Sequence, residues 1–440
     1  MSFEGWKVIR PEETDIQAAD GSIAGIISRA LNFVDPRLVQ HGSRVAQLVH
    51  SFLISRGQCD RKQIRDICFT ALLHDIGAYK TEEIDRMVSF EAEQVWAHSV
   101  YGSLFIRHFS PLSPYADAVL FHHTSWEILR GMEEVGAETA WLAQTINLAD
   151  RIDMFFQRGE GTETELKRRI EAAGGRRFMP EIAEMALAMD FSGWEDGAGL
   201  QEGGRNGGAE FPHHVEFFSR EEIVEYLQML VFAIDFRSHY TVTHTITTTG
   251  VSMETAKRLG MNREEIRCLA LGALLHDLGK IGIPIDILEF SGPLNGEQMA
   301  VMRTHVDLTE QILGQTVSQT VKRIALRHHE KLDGSGYPGG MKAAELTRAE
   351  RIVAVADIVS ALNGQRSYKE AFPKEKTLDI LAEMSGQGLL DGDIVALICA
   401  EFDSIMEAVG IMCGPVVEAY RFVNGEYERL LEKYSGEGIS

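Results

Sequence analysis

Apolar residues recur along this chain at the three- and four-residue spacing of amphipathic helices. In one segment the spaced apolar positions are Ile266, Leu269, Ala270, Ala273, Leu274 and Leu278. In a second segment they are Ala354, Val355, Ile358, Val359 and Leu362. The first pattern predicts a buried helix that ends at the pair His276-Asp277, and the second places Asp357 within a helix. Because few segments alternate apolar and polar residues with a period of two, we predict an all-α fold.

The same polar residue types occur twice along the chain, at matching positions. The C-terminal series is His244, His276, Asp277, His305, His328, His329 and Asp357. The N-terminal series is His41, His74, Asp75, His98, His122, His123 and Asp150. Corresponding members lie 202 to 207 residues apart, and the segment Ala71–Gly77 mirrors Ala273–Gly279. We interpret these offsets as an internal duplication that produced two tandem helical bundles.

A glycine-rich stretch separates the two series. Seven glycines lie between positions 193 and 208, a composition typical of a flexible linker or an exposed loop. Ser219 and Glu222 then form a Ser-x-x-Glu capping box ahead of an apolar run. We therefore predict a first domain at residues 1–158, a linker with helical segments at residues 159–218, and a second domain at residues 219–440.

Charge and composition restrict the partners and the compartment. The net charge of −22 argues against DNA, RNA and anionic membranes, which bind basic surfaces. No apolar run approaches the roughly 18 residues of a membrane helix, and the N-terminus lacks the layout of a signal peptide. The five cysteines have no C-x-x-C spacing and an odd number, which argues against a disulfide framework. We therefore expect a cytoplasmic protein.

Histidine and aspartate side chains spread over several helices are typical of a metal site inside a helical bundle. Seven such ligands are too many for one four-coordinate zinc ion. They suit a pair of metals with open positions for water and substrate. Iron, manganese, nickel and zinc are all chemically possible with these ligands. The glycine-rich turn after His328-His329 lets the backbone approach a phosphate, so the residues predict a metal-dependent site for a phosphate ester.

Two motifs stand out in the C-terminal half: His276-Asp277, followed by Leu-Gly-Lys-Ile-Gly-Ile-Pro, and Gly336-Tyr337-Pro338. With these motifs, about residues 220–405 resemble an HD-GYP domain, a phosphohydrolase subgroup that degrades cyclic dinucleotides. This resemblance implies that the seven residues of the C-terminal series are the metal ligands, with Asp277 bridging two metals and taking part in catalysis. The implied substrate contacts are Lys280, which also acts in catalysis, Tyr337, Arg366 and Lys369.

The same resemblance concerns the identity and number of the metals. Iron is the metal it implies first, and manganese is able to serve. Some members of the family hold a third metal through a glutamate at the position of Tyr240. Because tyrosine is not expected to bind iron in this setting, we expect two divalent metal ions per active domain.

The N-terminal half resembles an HD domain that lacks the Gly-Tyr-Pro motif. Its series suggests a second metal site, but His122-His123 are followed by Thr-Ser-Trp-Glu-Ile-Leu. Ala78 stands three residues after Asp75, where the other half has Lys280, and Lys80 is out of register. Three roles stay open for this half: hydrolysis of a nucleotide intermediate, stabilisation of the other half as a degenerate partner, and sensing of a ligand.

The resemblance implies a metal-dependent phosphodiesterase that acts on cyclic di-GMP or 3',3'-cyclic GMP-AMP. The product would be a linear dinucleotide, with further cleavage to mononucleotides left open. One alternative is a receptor that binds the cyclic dinucleotide without turnover. Another is a hydrolase of nucleoside phosphates, which the N-terminal half alone would allow. The cyclic dinucleotide is the expected partner, and a homodimer is left open.

Overall fold

The structure is a computed structural model that describes residues 22–33, 40–57, 59–78, 96–195, 218–236, 243–290, 292–364 and 372–435. Within these ranges the regular backbone is helical. The isolated bridges Gly174–Phe178 and Asp333–Lys342 are the β-type pairs found there. The prediction of an all-α fold is therefore confirmed. None of the helices in the described ranges is long and apolar enough to cross a membrane.

The helices of the described ranges are numbered here in chain order. The α-helices are α1 (Ser22–Asn32), α2 (His41–Arg56), α3 (Arg61–Leu72), α4 (Trp96–Phe109), α5 (Ala116–Phe121), α6 (Trp126–Leu129), α7 (Ala137–Gln157), α8 (Glu163–Ala173), α9 (Pro180–Leu187), α10 (Ser192–Glu195), α11 (Arg220–Asp235), α12 (His244–Arg258), α13 (Arg263–Leu275), α14 (Ile285–Leu288), α15 (Gly296–Leu313), α16 (Gln319–Leu326), α17 (Arg348–Asn363), α18 (Lys374–Gly386), α19 (Gly392–Ala400) and α20 (Phe402–Ser435). Short 3₁₀ helices span Ser113–Tyr115, Leu278–Gly282 and Ala343–Glu345.

Local sequence signals account for where many of these helices begin. The predicted capping box of α11 is present: the Glu222 amide donates to Ser219 Oγ (3.2 Å) and the Ser219 amide donates to Glu222 Oε2 (2.8 Å). Equivalent boxes begin α3, α13, α15 and α17. Each box satisfies backbone N–H groups that a helix leaves unpaired at its first turn. The pair His276-Asp277 directly follows α13, as the apolar pattern predicts.

The chain divides into two compact units. The C-terminal unit comprises residues 1–34 and 218–421, and the N-terminal unit comprises residues 35–217 and 422–440. Both units have the same packing scheme. In the C-terminal unit α12 packs on α13 and α17, and in the N-terminal unit α2 packs on α3 and α7. This repetition is what an internal duplication of one helical bundle produces.

The compact units are not identical to the predicted domains. Arg29 of α1 donates to the Ile312 carbonyl (2.7 Å), which ties an N-terminal helix to the C-terminal unit. Helices α8 and α9 belong to the N-terminal unit, where α9 packs on α2 and α7. The domain boundaries at residues 158 and 218 stay a prediction. Most of the glycine-rich stretch lies outside the described residues.

Candidate metal centres

The structure brings together all seven residues of the C-terminal series. His244 begins α12, His276 and Asp277 follow α13, and His305 lies in α15. His328 and His329 follow α16, and Asp357 lies in α17. Their ligand atoms form three overlapping groups, each within 4.8 Å: His244, His276 and Asp357; His276, Asp277 and His328; and His305, His328 and His329.

The carboxylate of Asp277 divides this centre into two halves. Its Oδ2 atom lies 3.2 Å from His244 Nε2 and 3.0 Å from His276 Nε2. Its Oδ1 atom lies 3.5 Å from His305 Nε2 and 3.9 Å from His328 Nε2. One carboxylate therefore presents a different oxygen to each of two histidine groups. A carboxylate that bridges two metal ions needs this arrangement, although the bridging role itself stays a prediction.

In four of the five histidines, His244, His276, His305 and His328, the Nδ1 atom has a hydrogen-bond partner that orients the ring. Nδ1–H of His276, of His305 and of His328 donates to the backbone carbonyl three residues earlier, at 2.7 Å in each case. His244 differs, because its Nδ1 lies 3.0 Å from the hydroxyl of Ser360. With Nδ1 bound in this way, the Nε2 lone pair of each ring faces the centre. Such outer hydrogen bonds fix the tautomer of a metal-binding histidine.

Several buried polar atoms at the centre have no hydrogen bond of acceptable geometry within the described ranges. They include His244 Nε2, His276 Nε2 and Asp277 Oδ1. Buried polar atoms are nearly always paired, so such a cluster points to an absent partner. Imidazole nitrogens and carboxylate oxygens are ligands of divalent first-row metals. The residues therefore fit a metal centre.

The charges of the metal-free centre differ between its halves. Burial alone would lower the pKa of His276, but the carboxylates of Asp277 and Asp357 together outweigh burial and raise that pKa to about 10. In the other half, burial lowers the pKa of His329 to about 3 and holds that of His328 well below its usual value. His328 and His329 are therefore neutral near pH 7, as metal ligation requires.

Lys280 places a cation directly beside the carboxylate of Asp277. Its Nζ atom lies 2.5 Å from Asp277 Oδ2, and its side chain is 19% exposed. Burial would lower the pKa of Lys280, but the nearby carboxylates, Asp277 and Asp357 first among them, together outweigh burial and raise it. The side chain is thus a charged group at the edge of the centre, within reach of an anion that enters from solvent.

The loop that carries Tyr337 is held by a buried glutamate that the sequence analysis missed. The amides of Gly339 and Met341 donate to the Glu330 carboxylate at 2.6 and 2.9 Å. Gly336 is packed so closely that a Cβ there would lie 2.4 Å from the Lys331 nitrogen. This glycine therefore permits close packing of the loop on itself, a different use from the phosphate contact we expected of the turn.

Tyr337 lies beside the candidate metal ligand His329. Its ring centroid is 4.6 Å from that of His329. The Arg303 guanidinium also lies 4.8 Å from the Tyr337 ring centroid. The contact with Arg303 had no signal in the sequence, because Arg303 stands on α15, far from the loop along the chain. The other predicted contacts, Arg366 and Lys369, and Tyr240 lie outside the described residues.

The N-terminal unit contains a second centre built from the N-terminal series. Its ligand atoms form two groups, each within 4.8 Å: Asp75, His98, His122 and His123; and His41, His74 and Asp150. Asp75 again divides its oxygens between the groups. Oδ2 lies 3.6 Å from His41 Nε2 and 3.3 Å from His74 Nε2. Oδ1 lies 3.7 Å from His98 Nε2 and 3.6 Å from His122 Nε2.

Different side chains surround this second centre. His41 Nδ1 lies 2.7 Å from Asp153 Oδ2, and Asp153 also pairs with Arg44. Asp153 occupies the position that matches Ser360 in the C-terminal series. The Arg151 guanidinium lies beside Asp150. Burial would raise the pKa of this aspartate, but Arg151 together with His41 and His74 outweighs burial and lowers it to about 2. Ala78 is buried at the position that matches Lys280, so no lysine reaches Asp75 from there.

One glycine after each His-Asp pair allows the helices to meet. A Cβ at Gly279 would lie 1.9 Å from the backbone oxygen of His305. A Cβ at Gly77 would lie 2.0 Å from the backbone oxygen of His98. Atoms in a packed interior cannot approach this closely. Each glycine therefore sets the distance between its aspartate and the helix that carries the next histidine ligand.

Known families match both regions. One family model of the HD domain matches residues 38–154. A second HD-domain model matches residues 228–394. This chain is a tandem HD-domain protein. The two matched regions contain every member of the N-terminal and C-terminal series.

Characterised relatives match this chain over different lengths. The 3'3'-cGAMP-specific phosphodiesterase 1 of Vibrio cholerae is 28% identical over 389 residues, covering 84% of this chain and 89% of the relative. The cyclic di-GMP phosphodiesterase response regulator RpfG of Xanthomonas campestris is 37% identical, over 37% of this chain and 44% of that protein. A solved cyclic GMP-AMP specific phosphodiesterase of Vibrio cholerae, V-cGAP3, has a TM-score of 0.53 at 20% identity. The match covers 88% of this chain and 98% of that chain, and it shows that the two proteins share a fold.

Proposed function

We propose that the C-terminal HD domain hydrolyses a cyclic dinucleotide, cyclic di-GMP or 3',3'-cyclic GMP-AMP, with the help of divalent metals. The observation that carries this proposal is the division of Asp277 between two histidine groups beside Lys280 and Tyr337. Such a centre suits a phosphodiester, whose charge must be neutralised while one P–O bond is cleaved. The names of the relatives favour the same substrates.

The donor set would hold two metal ions, with iron first and manganese second in expectation. His244, His276 and Asp357 would hold one ion, and His305, His328 and His329 the other, with Asp277 shared. When bound, such ions neutralise phosphate charge and lower the pKa of a bound water. Substrate binding and orientation would depend on other side chains of this protein.

Those side chains bind and orient the substrate. Lys280 is a point charge suited to a non-bridging phosphate oxygen. Tyr337 offers an aromatic face for a base, and His329 and Arg303 hold its ring in place. Arg366 and Lys369 are proposed to contact phosphate as well. Hydrolysis adds water across one phosphodiester bond, which leaves a 5'-phosphate and a free 3'-hydroxyl on a linear dinucleotide.

We also propose roles for the N-terminal HD domain and for the chain as a whole. The N-terminal HD domain is proposed to act on the linear product, to stabilise the other domain, or to sense a ligand. Cytoplasmic location, the absence of nucleic-acid partners and a homodimer stay predictions. The receptor alternative predicts binding without turnover, and the experiment below separates it from the enzyme.

The test is product analysis with the metal-loaded full chain. Cyclic di-GMP, 3',3'-cyclic GMP-AMP and cyclic di-AMP are offered separately to the wild type, Asp277→Ala and Asp75→Ala. Asp307→Ala, which alters an exposed aspartate of α15, is the matched control. We expect cleavage by every protein except Asp277→Ala. A linear dinucleotide that accumulates only in Asp75→Ala would make the N-terminal domain a second-step hydrolase. Binding without cleavage by the metal-loaded wild type would leave the receptor.

A further inference from the structure

Arg151 is a fully buried arginine inside the N-terminal metal centre. It follows Asp150 on α7, and its side chain has no exposed surface. Its Nη2 atom lies 3.4 Å from Asp150 Oδ2 and 2.8 Å from His123 Nδ1. Both neighbours belong to the seven residues of the N-terminal series. A fixed positive charge therefore stands among side chains that would otherwise face a metal.

The hydrogen bond from Arg151 determines the state of His123. A guanidinium carries five N–H donors and no acceptor, so the Nδ1 atom of His123 must accept with its lone pair. A neutral imidazole that accepts at Nδ1 carries its proton at Nε2. Neither nitrogen of His123 then has a lone pair for a metal. His123 is thus near the centre without being available as a ligand.

A second histidine of the same group also has a polar partner. The hydroxyl of Ser99 lies 3.3 Å from His98 Nε2, the nitrogen that faces Asp75. Two of the three histidines on the Oδ1 side of Asp75 therefore have hydrogen-bonding neighbours at a ligand nitrogen. The other group, His41, His74 and Asp150, keeps its Nε2 atoms directed at carboxylates.

The C-terminal centre has apolar residues at both matching positions. Val306 stands where the N-terminal series has Ser99, and Ile358 stands where it has Arg151. Without an arginine there, His329 Nδ1 lies 3.6 Å from Asp357 Oδ2. The cation of this centre is Lys280, which is partly exposed on a flexible stem and can leave the carboxylate. Arg151 has no such freedom, because it is enclosed on all sides.

We infer that Arg151 is a built-in cation that removes His123 from the metal ligands, so that the N-terminal HD domain holds one metal ion instead of two. The ion would be held by His41, His74, Asp75 and Asp150. The guanidinium would take up part of the space of a second ion and supply part of its positive charge. The inference rests on the proposed metal binding by this domain. It assigns to the two domains different metal capacities despite identical ligand series.

The first test is a crystal of the full chain reconstituted with Mn²⁺, examined by anomalous diffraction. We expect one anomalous peak beside His41, His74 and Asp150, and none bonded to His123. A peak bonded to His123, or no peak in the N-terminal domain, would overturn the inference. The C-terminal peaks are read separately in the same map. Fewer than two there would count against the proposed function and leave the inference about Arg151 unaffected.

The second test is the metal content of Arg151→Ile, which copies Ile358 of the other domain. Because release of His123 restores a ligand, we expect a gain of about one Mn²⁺ per chain by elemental analysis. Arg65→Ile is the matched control, since it also removes a buried ion pair, with Asp66, but outside the ligand set. Its Mn²⁺ content should equal that of the wild type. An unchanged content in folded Arg151→Ile, checked by thermal unfolding, would contradict the inference. If this variant does not fold, the wild-type crystal still decides.

Discussion

The two HD domains have the same ligand residues and the same division of one aspartate between two histidine groups. They differ in the side chains just outside the ligands. The C-terminal centre has Lys280 and Ser360 where the N-terminal centre has Ala78 and Asp153. It also has the apolar Ile358 at the position of Arg151. The comparison teaches that an identical ligand series does not ensure identical metal chemistry. Neighbouring donors and charges determine which lone pairs remain available.

The loops after the paired histidines differ as well. In the C-terminal domain, Glu330 organises a loop that brings Tyr337 against His329. In the N-terminal domain, the chain continues within a few residues into the short helix α6. The C-terminal centre therefore has an aromatic ring beside His329, and the N-terminal sequence lacks the Gly-Tyr-Pro motif that carries this ring. The two domains therefore share their candidate metal ligands but differ in the loop that we propose contacts the substrate.

The largest expected effect concerns the lysine that only the C-terminal domain has. Lys280→Met should lower kcat/KM for the cyclic dinucleotide roughly 100-fold, because a charge aimed at the reacting phosphate is lost. The seven ligands are unchanged, so the metal content should stay at the wild-type value. Steady-state kinetics with elemental analysis of the same samples would measure both. Equal kcat/KM values for variant and wild type would place Lys280 outside the substrate site.

The glycines after the two His-Asp pairs should give matched losses of stability. Gly279→Ala and Gly77→Ala each force a methyl group against a helix backbone, which should cost about 1–3 kcal/mol or more. Each variant should also lose metal only from its own domain. Gly410→Ala is the control, because a Cβ there meets nothing within 4 Å. Denaturant unfolding would measure the free energies, and an effect no larger than that of Gly410→Ala would contradict the prediction.

A smaller effect is expected from the partner of the first histidine. Asp153→Asn keeps the shape but removes the negative charge that faces His41 Nδ1. Metal affinity of the N-terminal domain should fall roughly tenfold, as for other residues that orient a metal-binding histidine. Metal titration in an Asp277→Ala background would isolate this domain. An unchanged affinity would mean that the Ser360 and Asp153 arrangements are equivalent for metal binding.

The smallest expected effect is on substrate affinity. Tyr337→Leu removes the aromatic face beside His329 but keeps an apolar side chain there, so we expect a loss of about 1 kcal/mol, the lower end of what stacking on one base contributes. KM should therefore rise several-fold with little change in kcat. Tyr337→Phe, which keeps the aromatic ring, is the matched control and should retain the wild-type KM. A fall in kcat at constant KM would instead mean that Tyr337 positions His329.

Much of the fold followed from the sequence because helical periodicity and caps are local properties. The end of α13 at His276 and the capping box of Ser219 depend on residues within a few positions of one another. The placement of α1, in contrast, does not depend on neighbouring residues in the sequence. Arg29 contacts Ile312, which lies 283 residues away along the chain. No periodic pattern in α1 indicates which bundle it joins.

The sequence by itself determined the all-α class, the duplication and the candidate ligand series, since residue types at repeated spacings can be read directly. Only the tertiary structure decided how the two oxygens of Asp277 and Asp75 are shared between histidine groups. It also decided that Arg151 donates to His123 and that Glu330 holds the Tyr337 loop. These features are contacts between atoms of separate elements, and their direction depends on how helices pack. A ligand series states which atoms could bind a metal, whereas packing determines which of them keep a free lone pair.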